Sequence, residues 1–86
     1  MDINELIAIV KKKLQTKIDI ENIVIEDKSF LHKSHKGNQK GKFHLKIKIK
    51  SKELKKMSKI ENNKKVYKIL EEEIKNNIHS IQILII

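Results

Sequence analysis

Phe43-His44-Leu45-Lys46-Ile47-Lys48-Ile49-Lys50 alternates one apolar residue with one polar residue over its whole length. Successive side chains of a β-strand point to opposite faces, so Phe43, Leu45, Ile47 and Ile49 are expected to face a core and His44, Lys46, Lys48 and Lys50 to face solvent. Such a strand needs partners at its edges and a layer over its apolar side, and the flanking sequence supplies candidates for both. Upstream, the β-branched run over residues 18–26 predicts a strand with Ile23-Val24-Ile25 as its buried segment. Downstream, residues 78–86 predict an apolar strand that must be buried. Ile3, Leu6, Ile7, Val10 and Leu14 recur at helical spacing behind Asp2 as N-cap and predict a helix over residues 3–16. Ile60, Asn63, Tyr67, Leu70 and Ile74 predict a second amphipathic helix ending near Asn76-Asn77. Residues 51–58 read as a turn or short helix, and residues 27–42 as a loop longer than ordinary connections. The fold class is therefore α/β (α+β), one small αββαβ domain over residues 1–86. Two helices cover one face of a three-stranded mixed sheet, and the last strand pairs parallel through a helical crossover.

The chain has 86 residues and a net charge of +9, from 20 basic and 11 acidic residues. Every basic residue is a lysine. Lysine supplies point charges for phosphate backbones, whereas the bidentate fork that reads guanine belongs to arginine. Residues 28–68 hold 15 of the lysines and only Glu53 and Glu61 as acids, so a basic middle lies between mildly acidic ends. That distribution suggests one basic face and a polyanionic or acidic partner. Acids precede the apolar residues at the N-terminus, unlike a secretory signal, and no apolar stretch approaches the ~20 residues of a membrane span. The expected compartment is the cytoplasm, with the nucleus as the other option.

Cysteine is absent, which excludes disulfides, thiolate zinc sites, thiol nucleophiles and a cluster held by the chain's own sulfur. No Ser-His-acid set has a recognisable spacing, and Gly37-Asn38-Gln39-Lys40-Gly41 has one residue too many for the GXXG clamp of KH domains. Glu26-Asp27 and Glu71-Glu72-Glu73 read as solvated surface. No catalytic set emerges, and the expectation is a protein that is not an enzyme. Four histidines remain: His32 and His35 in the long loop, His44 on the polar face of the alternating strand, and His79 at the entry to the last strand. Neutral imidazole ligates zinc, copper or iron. A zinc site of all four histidines would need separate elements to converge. His79, where a helix ends and the sheet begins, is placed to be both held and accessible.

Asp27-x-Ser29-x-x-His32-x-x-His35, Phe43-His44, Ser51-x-x-Leu54, Val66-Tyr67 and Ile78-His79-Ser80-Ile81, in this order, resemble the BolA family over nearly the whole chain. The family's αββαβ fold, similar to class II KH domains, agrees with the order reached from periodicity. The resemblance implies an adaptor in iron–sulfur assembly, trafficking and iron homeostasis. Such proteins pair with a monothiol glutaredoxin and share a bridging [2Fe–2S] cluster, with sulfur coming from the partner's cysteine and its glutathione. The isolated protein would then hold no cofactor. It further implies His79 as the principal ligand and His32 as the second, with His35 as its near competitor. Bacterial relatives are described as transcriptional regulators, which gives the alternative of a KH-like nucleic-acid binder. Lys46, Lys48, Lys50, Lys52, Lys55, Lys56 and Lys64 would then contact phosphates. The family's Arg-His-Arg run reads Asn62-Asn63-Lys64 here, which weakens sequence-specific DNA recognition. No part of the sequence suggests a membrane partner.

Overall fold

The computed structural model describes residues 1–29 and 42–86. The alternating stretch forms β2 (Phe43–Lys50), flanked by β1 (Asn22–Asp27) and β3 (Ile78–Ile85) in the order β1-β2-β3. β1 pairs antiparallel, matching Ile23 with Ile49 and Ile25 with Ile47. β3 pairs parallel, matching Ile81, Ile83 and Ile85 with Leu45, Ile47 and Ile49. One apolar row therefore runs across all three strands on one face, as the pleat requires. Above it lie Leu6, Val10 and Leu14 of α1 (Ile3–Lys17) and Val66 of α3 (Lys59–Ile69), with Leu54 and Leu70, all fully buried in the same cluster. The small mixed sheet with helices on one side is the fold class expected from the sequence. No helix among the described residues is long and apolar enough to cross a membrane.

α1 follows its prediction to within a residue, and Asp2 caps it by accepting the Glu5 N–H at 2.8 Å. Residues 51–58 resolve into α2 (Lys52–Lys55), capped by the buried Ser51, whose hydroxyl accepts the Leu54 N–H and donates to the Asp19 carbonyl at 2.7 Å.

Three expectations are corrected. The second long helix is two, α3 and α4 (Glu71–Asn76), and its inward stripe is Asn62, Val66, Leu70 and Glu73. Ile60 and Tyr67, assigned to the apolar face, stand 69% and 41% exposed. The buried polar ends of the stripe have partners. The Asn62 side-chain amide donates to the Leu54 carbonyl at 3.4 Å, and Glu73 accepts from Lys13 of α1 at 2.6 Å. β3 was expected to be buried throughout, but it is an edge strand with only Ile78 and Ile83 buried. β1 is the other edge. It is shorter than residues 18–26, and its central Val24 faces outward at 45% exposure. A half-covered edge strand needs burial on alternate positions only.

Candidate functional site

β2 and β3 do not stay in register at the start of β3. Phe43 pairs with Ile78 but the next residue, His44, pairs with Ser80, so His79 is an extra residue on β3. The Phe43 N–H donates to the Asn77 carbonyl at 2.9 Å immediately before this point. A bulge of this kind leaves one residue out of the ladder and re-aims its side chain. Ile78 remains buried in the core, while His79 and Ser80 are exposed. The junction that the sequence singled out thus holds an accessible imidazole.

His44 lies beside it. The two rings are 4.9 Å apart between centroids and inclined by 58°. Expected on a solvated strand face, His44 is instead 4% exposed, and the reason is local. Its Nδ1 and the Ser80 hydroxyl share a hydrogen bond of 2.6 Å, and its N–H donates to the Ser29 hydroxyl at 3.1 Å. Its carbonyl accepts the Lys28 N–H at 2.7 Å, and Ser29 is itself turned by donating its N–H to the Asp27 carboxylate at 2.9 Å. Asp27, Ser29, His44 and Ser80, from three separate segments, form one hydrogen-bonded chain in which Ser80 engages the ring that lies against His79 and Ser29 the His44 backbone. The sequence singled out His44 as a histidine on a polar strand face and Asp27, Ser29 and Ser80 as motif positions, but not their connection to one another.

His32 and His35 lie outside the described residues. Of the four-histidine zinc reading, His44 and His79 are adjacent, and His44 Nδ1 is engaged with Ser80. Among the described residues, no group of three or more His, Cys, Asp or Glu could hold a metal ion.

The lysines of the nucleic-acid reading are divided between the sheet and the helices. Lys46, Lys48 and Lys50 lie on the outer side of β2, where Lys48 faces Glu26 at 3.6 Å and Lys50 faces Glu21 at 3.9 Å. Lys52 and Lys55 belong to α2, Lys56 follows it, and Lys64 is on α3. Lys50, Lys52 and Lys55 line a shallow hollow beside Ile86. Lys55 also lines a second hollow, with Lys59, Asn62 and Asn63 against residues 83–85 of β3. Of the set, Lys50 of β2 therefore meets Lys52 and Lys55 of α2 at the C-terminal end of β3, away from the bulge.

Charge pairs shift three groups. Lys65 donates to Glu53 at 2.6 Å and, with the Asp19 N–H, holds that carboxyl below its usual range. Lys28, 2.9 Å from Glu26, does the same there. The Glu73 carboxylate beside Lys13 raises that ammonium above its ordinary value.

The family profile described as BolA-like protein matches residues 14–86. The chain is 30% identical over 73 residues to the DNA-binding transcriptional regulator BolA of Haemophilus influenzae, covering 85% of this chain and 68% of that protein. It is 32% identical over 78 residues to the protein BOLA1, chloroplastic, of Arabidopsis thaliana, covering 87% of this chain but only 49% of the relative. The solved structure of BolA1 from Arabidopsis thaliana superposes with a TM-score of 0.77 at 31% identity, over 91% of this chain and 86% of that one.

Proposed function

Because this chain belongs to the BolA-like family, we propose that it is an iron–sulfur adaptor, a binding protein rather than an enzyme. It would share a [2Fe–2S] cluster with a monothiol glutaredoxin in the cytoplasm or nucleus. The observation that carries this reading is the bulge at His79, which sets one exposed imidazole against a buried, hydrogen-bonded one.

The donor set fits a shared group. Among the described residues His79 offers an exposed imidazole, which supports the reading as one ligand of a group shared with a partner. His79 would supply the principal nitrogen ligand and His32 or His35 the second, while the partner's cysteine and glutathione would supply sulfur. A cluster ligated partly by imidazole carries less negative charge and a higher potential than one held by thiolates alone. The chain's own contribution is orientation. The bulge takes His79 out of the ladder, and His44 limits the directions its ring can take. Ser80 and Ser29 hold His44, as outer partners hold ligands in metal sites. Imidazole accepts a proton near neutral pH, so a ligand of this type can leave, which suits transfer more than storage.

Purified alone, the protein should be colourless. Mixed with a monothiol glutaredoxin, glutathione, iron and sulfide, it should alter the visible absorption of the glutaredoxin cluster, and H79A should remove that alteration. An unaltered spectrum with the wild-type protein sinks the proposal.

A second reading draws on the DNA-binding relative and on the lysine-lined hollows at the other end of β3. Only Phe30, Phe43 and Tyr67 are aromatic, so base stacking has few platforms and contact would run through phosphates. Titration with DNA and RNA at ~0.05 and ~0.2 M salt separates the two. Binding without sequence preference that vanishes at the higher salt argues against a specific regulator.

A further inference from the structure

α1 and α3 leave between them a groove of about 790 Å³, lined by Ile9, Lys12, Lys13, Thr16, Lys17, Lys65, Lys68 and Ile69. The lining is periodic. Positions 9, 12, 13 and 16 of α1 and 65, 68 and 69 of α3 fall at the spacing of one helix face, next to the stripe each helix turns to the core. Its surface is overwhelmingly carbon, because the lysines line the walls with their methylene stems around Ile9 and Ile69. Ile9 is half-buried and is neither in the core cluster nor among the partly buried residues packed against it.

The charged residues that line this groove are of one sign, and the acids beside it pair with only two of them. Five of its lining residues are lysines and none is an acid. Lys13 is paired with Glu73 and Glu72, and Lys65 with Glu53. Lys12, Lys17 and Lys68 have no carboxylate within salt-bridge distance among the described residues. The complementary surface is an apolar ridge bordered by carboxylates. We propose that this groove docks an acidic amphipathic helix of a partner protein, with its apolar stripe between α1 and α3 and its acids on Lys12, Lys17 and Lys68.

Other ligand classes fit less well. A small anionic amphiphile is held by burying ~70–90% of its surface, which a trough open along its length does not provide. Nucleic acid has no use for an aliphatic floor without aromatic side chains. A membrane surface needs apolar residues at the crest of a helix, whereas here they lie between two. Helix-in-groove recognition reads anchors at i, i+3, i+4 and i+7, the periodicity that these walls offer.

The site involves neither His79 nor the sheet, so it stands or falls separately from the cluster reading. The probe is a fluorescein-labelled helical peptide of about 14 residues, near the length of α1 at ~1.5 Å per residue, with leucines at i, i+3, i+4 and i+7 and glutamates alongside. Isotope-labelled full-length protein should show shifts centred on Ile9 and Ile69. The exposed double reversal K12E/K68E should weaken binding about tenfold or more, and I9S about tenfold, each tenfold being ~1.4 kcal/mol. The charge-matched reversal K11E/K56E, at exposed lysines that do not line the groove, should change it less than about threefold, because neither touches the peptide and both are screened by solvent. H79A should bind the peptide like wild type. The proposal is overturned if a scrambled peptide of the same composition binds as tightly, or if K11E/K56E weakens binding as much as K12E/K68E. It is equally overturned if the shifts map to the sheet, if phosphatidylserine vesicles take the groove and the peptide does not, or if ~1 mM peptide, a ~4 kcal/mol threshold, gives no shift.

Discussion

The two ends of β3 are built differently, although one strand and one partner make both. At the N-terminal end the register slips, His79 leaves the ladder, and Ser80 and Ser29 hold His44, whose ring lies beside it. At the C-terminal end the ladder is regular through Ile85, and the Ile86 N–H continues it to the Ile49 carbonyl at 2.8 Å. The adjoining groups there are lysines on α2 and α3 in shallow hollows. The first end has directional order around one side chain, as a metal ligand needs. The second has charge density without directional order, as phosphate attraction needs. An irregularity in a strand is here the more informative feature.

The change with the largest expected effect acts on both ends at once. Ile47 is fully buried midway along β2 and pairs with β1 and β3, so I47A should lower stability by about 2–5 kcal/mol, measured by urea unfolding. If only one end loosened, by amide exchange, the sheet would not be the common support of both. H44A removes the buried ring and the bond to Ser80, so it should cost about 1–3 kcal/mol and change amide shifts around His79 while sparing residues 83–85. Equal shifts at both ends would erase the contrast. Conversely, K50Q/K52Q/K55Q should leave the His79-dependent spectrum intact. It should also lower the log–log salt slope of any DNA binding by about 2–3, at ~0.9 for each phosphate no longer neutralised.

The smallest effect is the pH dependence of the ion pairs. The carboxyls of Glu26 and Glu53 are held below the usual 4.5, so their contribution is complete above that value and is lost as pH falls through the lower folded values. Lys13 is raised above 10.5, so its contribution is complete below 10.5 and is lost as pH rises through the higher folded value. These pairs are partly open to solvent, so thermal melting should decline only slightly at each extreme and change little between about pH 5 and 9. Loss of stability near neutrality would point to other groups.

How far the sequence disclosed this structure depended on where the information lay. β2 was legible because its alternation is local, and α1 because Leu6, Val10 and Leu14 are apolar and buried alike. The phase of α3–α4 was hidden because Asn62 and Glu73 occupy the buried stripe while Ile60 and Tyr67 lie outside it. Their partners, Leu54 and Lys13, lie on other helices, Lys13 at a separation of 60 residues. The edge position of β3 was hidden because its continuous apolar run resembles that of a central strand. His79 could be singled out from the helix–strand junction and the family motif. The burial of His44 could not, since it depends on Ser29 and Ser80 arriving from either side.

The central claim is that the irregular end of β3 presents His79 as a ligand to a cluster held jointly with a partner. Its most direct measurement is visible circular dichroism of the reconstituted mixture with monothiol glutaredoxin and glutathione, comparing wild type with H79A at equal folded content. The account predicts a cluster spectrum distinct from that of glutaredoxin alone with wild-type protein, and its collapse to the glutaredoxin-alone spectrum with H79A. A distinct spectrum that persists unchanged in H79A would contradict it.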